Sequence, residues 1–577
     1  MTLVATPIMS QEGINRHLDH IEEARLIAVD TETTGLKVKD GRDYLTGISV
    51  SYEVGDLGLF SCYFPFRHES DNFNHYTLSR LRNILETKPS IYHNLKFDLH
   101  SLATININPT GRLFDTLNIA HMINEEWPSK TLDWLSKTLL KDQKASDGVK
   151  AWADVWGWGT IPARLMAPYA CKDAELTYRL FEKLWPEMRK QNLDSLWDVE
   201  SDYCRLLTTI ERNGIKLDSD FCSRKSEKGN ARLISIQSEL GWNPASPIAL
   251  SEFLLDELGY PVVATTPSGA PSFDKKAMMQ YDEWLVRDER TEAHLVAEYR
   301  GWQKANSSLY EAMLDLVSPD GRVRPNFKQH GTKTGRLSCA EPNLQQIPRQ
   351  SEHPWNGDAK KAFVAEDGFR LIEFDYSQLE FRLATAYGQD QDLVDTFEVG
   401  DDPFIPIAIS VFGGPEYRQQ AKTTTYAILY GAGIPRISNS LGISSDSAGI
   451  VRRDFYSGLP GIYEKSELAR RNVLKNGYVK YWTGRRRHCP KDLAHKAFNS
   501  VIQGGGSEIV KRSMLRVADE VCNESCRMVL TVHDSIILEV REDLIRDTIP
   551  KVEHLMTDWP DFKVKLAVDT HEWGKKE

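Results

Sequence analysis

Apolar and polar positions change their spacing repeatedly along the chain, and each change marks an element. Leu26-Ile27-Ala28-Val29 and Ser90-Ile91-Tyr92-His93 are short runs of strand length. Leu371, Ile372 and Phe374 make a third strand, which stops at Asp375. From there apolar residues recur at Leu379, Leu383 and Ala386, the three- and four-residue spacing of a helix. Ser377, three residues before Glu380, predicts a capping box at that helix start. Pro168 is predicted to open a helix reaching Leu184. Residues 194–317 read as mainly helical and amphipathic, with loops at 242–247 and 265–271. Within that stretch Gly214 is predicted to stop a helix ahead of a short strand. Gly413-Gly414-Pro415 is predicted to begin a helix, and Gly431, Gly433 and Pro435 to end it. Two β-rich runs flanking His533-Asp534 predict a hairpin with those two residues at its turn.

Length and composition narrow the class. A chain of 577 residues holds three or four structural units. With 41% hydrophobic and 27% charged residues it is globular rather than disordered. A net charge of −11 excludes a surface uniformly coated for nucleic acid, but not a local basic groove. Arg452-Arg453, Arg470-Arg471 and above all Arg485-Arg486-Arg487-His488 are the candidates for one. The eight cysteines form no C-x-x-C pair and no zinc spacing, which suits reduced thiols in a cytoplasmic compartment. No leader pattern and no long apolar run occur, so a soluble protein without a membrane span is expected.

Candidate chemistry gathers at two places. Asp30 and Glu32 alternate along one strand and therefore point the same way; two such carboxylates repel unless a cation lies between them. Asp98 follows the second strand, while Tyr169 and Asp173 share one face of the helix near Pro168. Four acidic ligands suffice for two hard cations. A lone Asp-x-Glu carries no weight, whereas three acidic motifs in this order do. The polar stretch 330–349 offers Thr332, Lys333, Thr334, Arg336, Ser338, Asn343, Gln345 and Gln346 as donors to phosphate, sugar and groove. Arg418, Lys422, Tyr426 and Tyr430 recur every four residues, climbing one helix face about 6 Å per step. Cations beside a positive helix end do not serve the helix; they suit a triphosphate, with Tyr426 beyond them for base and sugar. The competing readings are an ordinary amphipathic helix and an aspartate in a plain strand-to-helix turn. Asp534 at the hairpin tip is expected to face Asp375 across a sheet, the pair holding two ions. Asp115 reads as structural.

Residues 20–185 resemble a 3′–5′ exonuclease of the DEDD type, in the variant with a tyrosine in its third motif. Across residues 20–573 the motifs TGRLS with PNLQQIP, DYSQLEFR, R-x3-K-x3-Y-x3-YG and VHD resemble, in that order, a family A DNA polymerase. The resemblance implies an α/β multidomain protein: an RNase H-like exonuclease domain at 1–193, then a right-hand polymerase at 194–577. Within the latter it implies thumb mainly at 194–325, palm at 326–390 and 526–577, and fingers at 391–525. It implies Asp375 and Asp534 as metal ligands, Arg418 and Lys422 on the incoming dNTP, and His533 by the primer end. Gln378, Tyr426 and Tyr430 also fall in its nucleotide motifs, and Glu380 would exclude ribonucleotides. Arg336, Asn499 and Gln503 would touch DNA, with Asn343 and Gln345 in the same binding motifs. Two Mg²⁺ ions per active site are implied, and Mn²⁺ fits the same oxygen ligands. Implied partners are primer-template DNA, dNTPs, a single-stranded 3′ end, and replisome proteins such as helicase and primase. A cytoplasmic monomer in a bacterial or phage-infected cell is expected.

Several departures stand out. No 5′-nuclease domain precedes the exonuclease, which is similar to phage replicative enzymes. The span from Asp173 to Asp375 leaves no room for a large processivity insertion. Ser535 stands where the family has a glutamate, Phe404 replaces a common histidine, and His495 a common arginine. Tyr426 stands where bacterial repair enzymes carry Phe, so ready acceptance of dideoxynucleotides is expected. The rivals are a nuclease whose C-terminal half only binds nucleic acid, a non-catalytic scaffold and a single-subunit RNA polymerase.

Overall fold

The computed structural model describes residues 11–144, 147–348, 353–560 and 562–574. The chain divides into two units. One comprises Met1–Asn213, Phe327–Cys339 and Glu373–Thr570; the other comprises Gly214–Asn326, Ala340–Ile372 and His571–Glu577.

The first unit contains a five-stranded and a four-stranded sheet besides smaller pairings. Strands β1 (Ile27–Thr33), β2 (Leu45–Val54), β3 (Gly58–Pro65), β4 (Ser90–Tyr92) and β5 (Leu113–Asp115) lie in the order β3-β2-β1-β4-β5. β1 runs antiparallel to β2 and parallel to β4, so the sheet is mixed, a form common in domains of helices and strands. Its apolar run is buried on both faces, and the β2 register shifts between Glu32 and Thr33, where the acidic motif lies. Helices packed around it include α1 (Leu95–Ala103), α2 (Thr116–Ile123), α3 (Ala163–Lys190) and α4 (Trp197–Asn213). Pro168 does not open α3. The helix starts at Ala163 after Pro162 and carries Pro168 inside, where the ring removes one backbone donor without ending a largely buried 28-residue helix.

The second sheet has the order β7-β8-β6-β9, with β6 (Phe369–Tyr376), β7 (Cys526–Val532), β8 (Ser535–Arg541) and β9 (Val568–Glu572). Tyr376 projects into the core, its hydroxyl donating to the Met556 carbonyl at 2.5 Å and lying 2.7 Å from Ser513 Oγ. The expected hairpin is present: Val532 pairs with Ser535, and His533 takes a left-handed φ of 55° in the turn. Helix α5 (Leu379–Gly388) follows β6, but without a capping box. Gln378 caps it in the left-handed region, the Ser377 N–H donates to the Ala567 carbonyl, and Glu380 is held by side chains elsewhere. Helix α6 (Arg418–Leu429) is entered through a single turn at Pro415–Tyr417. Gly433 and Pro435 belong to the start of the following helix rather than to the end of α6. The long α7 (Ala497–Glu520) completes the core.

The second unit is smaller and mainly helical. Gly214, at φ 58°, precedes a strand at Ile215–Leu217 that joins Arg322–Val323 and Phe363–Val364 in a three-stranded sheet. Helices Ser219–Leu240, Lys275–Arg287 and Glu292–Ala305 follow, with a core around Phe253, Tyr281, Leu285 and Val296. Among the described residues no helix is long and apolar enough to cross a membrane. All eight cysteines are free, and seven are buried.

Candidate active sites

The first acidic site is built on β1. Asp30 and Glu32 lie two residues apart on this strand, as alternation demands. Asp98 enters from α1, accepting from the Thr31 amide (3.1 Å) and the Thr31 hydroxyl (2.7 Å). Asp173 enters from α3, one turn beyond Tyr169. Burial, then the charge of Asp173, pushes the Asp30 carboxyl up to about 7. Burial, then Asp30 and Asp173, raises Glu32 well above the carboxylate range, and burial with Asp30 does the same to Asp98. Glu32 Oε1 and Asp173 Oδ1 are buried without hydrogen-bond partners. An all-oxygen donor set, strained by its own charge and carrying orphaned oxygens, fits a hard divalent cation. As the side chains stand, no group of three or more acidic, His or Cys residues among those described is closed around a metal position.

Sequence reasoning missed Lys144. Its ammonium lies 2.5 Å from Asp173 Oδ2 and 5.2 Å from the centre of the Tyr169 ring. No periodicity flags a loop lysine, so only the tertiary fold reveals it. An open groove of about 520 Å³ runs past Lys137, Gln143, Lys144, Arg164 and Tyr169. Asp115 is structural: it caps α2 through the Leu117 amide and accepts from the Asn94 amide and the Asn118 side chain.

The second acidic site lies on the other sheet. Asp375 is at the end of β6 and half-buried, Asp534 is half-exposed in the hairpin turn, and His533 beside it is exposed. β8 and β6 are neighbours, and the Tyr376 amide donates to the Asp534 carbonyl at 3.4 Å. Arg336 links two carboxylates: it donates to Glu380 and lies 3.8 Å from Asp534 Oδ1. The Tyr430 hydroxyl donates to the other Glu380 oxygen. Beyond Tyr430, the α6 face is assembled over the buried Phe404 ring. Arg418 is 5.7 Å, Lys422 6.0 Å and Tyr426 6.0 Å from its centre, with Tyr430 6.0 Å from Tyr426. Arg418 is also paired with Asp402.

Asn499 and Gln503 share one half-buried face of α7, and the Asn499 Oδ1 has no partner; nor has the buried Gln378 Oε1. Asn343 and Gln345 belong to the other unit, where Asn343 caps a short turn by accepting from the Gln345 amide. Of the polar stretch 330–349, position 349 lies outside the described residues.

The basic run is not a groove. Arg485 is 4% exposed and Arg487 7%. Arg485 pairs with Glu200 (2.5 Å) and Glu508 (3.1 Å), and Lys511 joins both acids. Arg487 pairs with Glu125 (2.8 Å) and Glu126 (2.6 Å), and the His488 amide donates to Glu125. Arg486, stacked 4.7 Å over Tyr478, and His488 are partly open. The run meets acids from distant segments, a complementarity that local charge counting does not see.

An acidic centre on each of two sheets, the second beside a cationic helix face, is the pattern of a phosphate-handling protein. Residues 219–576 match the family model for DNA polymerase family A, and residues 6–189 that of a 3′-5′ exonuclease. The chain belongs to DNA polymerase family A. It is 27% identical to DNA polymerase I of Pseudomonas aeruginosa over 97% of its own length and 64% of that protein's. It is 31% identical to the thermostable DNA polymerase I of Thermus filiformis over 69% of the chain and 50% of the relative. It thus spans less than two thirds of the length of these curated relatives. Its fold is shared with the POL domain of Pol1 from M. smegmatis, solved with DNA primer-template and dNTP. That likeness has a TM-score of 0.81 at 23% identity and covers 98% of each chain.

Proposed function

We propose that this chain extends a DNA primer along a template using dNTPs, and that it removes 3′-terminal nucleotides in a second site. Residues 1–193 form the exonuclease and 194–577 the polymerase in this reading. The observation that carries it is the relay Asp534–Arg336–Glu380–Tyr430, which joins the acidic pair to the cationic face of α6 within one unit.

In the synthetic site Asp375 and Asp534 would hold divalent ions, Mg²⁺ by preference. When bound, such ions activate the primer hydroxyl and offset charge on the leaving pyrophosphate. The chain's own groups do the rest. Arg418 and Lys422 grip the triphosphate, with the flat Phe404 floor fixing their stems. Tyr426 lies beyond them against base and sugar. Glu380, fixed by Arg336 and Tyr430, fills the space of a ribose 2′-hydroxyl, and Gln378 stands at the same helix start. Arg336, Asn343, Gln345, Asn499, Gln503 and His533 contact primer and template.

In the exonuclease site Asp30, Glu32, Asp98 and Asp173 would hold the ions, and Tyr169 orients the attacking water. The groove past Lys137, Lys144 and Arg164 leads the single-stranded end to it. A replicative, phage-like role alongside helicase and primase is the finer part of this reading.

A 5′-labelled primer on a longer template with Mg²⁺ tests it. The expected result is extension when dNTPs are present and shortening when they are absent. Shortening in both conditions would reduce the protein to a nuclease with a nucleic-acid-binding half.

A further inference from the structure

Position 535 departs from the family pattern by carrying serine in place of glutamate. In the structure a carboxylate of the neighbouring strand lies against this serine. Ser535 is 1% exposed at the start of β8, next to Asp534. Its hydroxyl lies 2.9 Å from the Val532 carbonyl and 3.4 Å from Oε1 of Glu373, so one proton is shared between its own hairpin and a carboxylate on the neighbouring strand. Glu373 is in β6, two residues before Asp375. Alternation places the two acids on the same face of that strand, about 6.6 Å apart along it. Ile372, Phe374 and Tyr376 take the opposite face and are buried.

Glu373 is 7% exposed. An acid on the central part of a sheet is an expensive residue to bury, and apolar side chains serve such positions at no desolvation cost. Its glutamate length matters too. An aspartate at 373 falls a methylene short of Ser535, whereas the glutamate reaches over it. A glutamate at 535 would contend for that same space.

We infer that Glu373 supplies the third carboxylate of the synthetic site, delivered from β6 instead of from the hairpin, with Ser535 as its hydrogen-bonding seat. This rests on the reading of Asp375 and Asp534 as metal ligands. Glu373 lies behind Asp375, so its part is that of a positioning residue: it orders the water around ions held by the two aspartates and keeps Asp375 aimed at them. The acid comes from β6 and the small hydroxyl residue from β8, so a carboxylate stays beside Asp534.

The two residues can be exchanged in the laboratory. The full chain carrying Asp30→Ala and Asp173→Ala, with its exonuclease acids depleted, is titrated with Mn²⁺ and free ion is followed by electron paramagnetic resonance. Circular dichroism melts check each variant. Glu373→Gln is expected to weaken Mn²⁺ binding about tenfold, close to 1.4 kcal/mol. The double variant Glu373→Ser/Ser535→Glu is expected to return to within about threefold of the parent, a rescue that a merely structural acid does not give. Asp375→Asn serves as the reference. If it weakens binding while Glu373→Gln leaves the isotherm unchanged, this inference fails alone. If Asp375→Asn changes nothing, the metal reading of the site fails and takes the inference with it. Should Glu373→Gln not fold, the double variant decides: weak binding in a folded exchange variant overturns the inference.

Discussion

Two clusters of buried carboxylates lie in the same unit of this protein, and they have opposite electrostatic characters. Around Glu200 and Glu508 the cations are built in. Burial alone would raise the Glu200 carboxyl, yet Lys511 and Arg485 outweigh it and hold it down at about 2. Around Asp30, Glu32, Asp98 and Asp173 the cation in contact, among the described residues, is Lys144 on Asp173; burial raises all four carboxyls, and repulsion from neighbouring acids adds to it at Asp30, Glu32 and Asp98. The first cluster is complete as folded and serves to join distant segments. The second is incomplete as folded and calls for positive charge from outside. Buried acids therefore divide by whether the fold supplies their counter-charge, and only the second kind marks chemistry. The second acidic site lies between these extremes, with Arg336 shared by Asp534 and Glu380.

The largest effect should come from removing the incomplete cluster. Asp30→Ala with Glu32→Ala is expected to lower 3′–5′ degradation of a labelled single strand by at least about a thousandfold, roughly 4 kcal/mol. The same variant should melt a few degrees higher than the parent in metal-free buffer, because two repelling acids have gone. A lower metal-free melting temperature would place these acids with the structural cluster. Glu200→Gln should behave in the opposite way. It leaves Arg485 and Lys511 to share Glu508 in the interior and is expected to cost about 3–5 kcal/mol in urea unfolding while leaving 3′–5′ degradation of the labelled strand unchanged. A loss under about 1 kcal/mol would show that the network is dispensable and the division false.

Much of this was legible in residue order, and the failures have physical causes. Strand alternation places Asp30 with Glu32, and helical spacing places Tyr169 with Asp173 and lines up Arg418 to Tyr430, because those relations are local. The hairpin around His533-Asp534 was readable for the same reason. What escaped was pairing at long range. Arg485 and Arg487 look like a nucleic-acid surface until Glu200 and Glu125, some hundreds of residues earlier, are brought to them. Ser377 and Glu380 have the spacing of a capping box, but Arg336 and Tyr430 claim the glutamate. Lys144 and Glu373 carry no pattern of their own.

Acid sharpens the same contrast at a smaller scale. In the folded chain the Glu200 carboxyl is held down at about 2, below its ordinary value of 4.5, so the unfolded chain binds more protons between those values. The stability Glu200 contributes is fully present above pH 4.5 and is lost as pH falls toward 2. The difference in unfolding free energy between parent and Glu200→Gln is therefore expected to shrink by about 3 kcal/mol between pH 5 and pH 2. Urea unfolding at steps of pH measures it, and a constant difference across that window would mean the carboxylate is not what binds the network.

The smallest effect concerns Lys144, the one residue that blurs the division. If its pairing with Asp173 were structural, Lys144→Met would be as costly as Glu200→Gln. The lysine side chain is 23% exposed, however, and it meets the acids from a loop at their rim. Ion pairs that reach solvent contribute about 1 kcal/mol or less. Lys144→Met is thus expected to change urea unfolding by no more than that. It should also remove a competitor for Asp173, so the Mg²⁺ concentration that half-saturates the metal-induced rise in melting temperature should fall about two- to threefold. A loss of several kcal/mol, or a weaker response to Mg²⁺, would make Lys144 part of the fold's own counter-charge and turn the cluster around Asp30 into a smaller version of the Glu200 network.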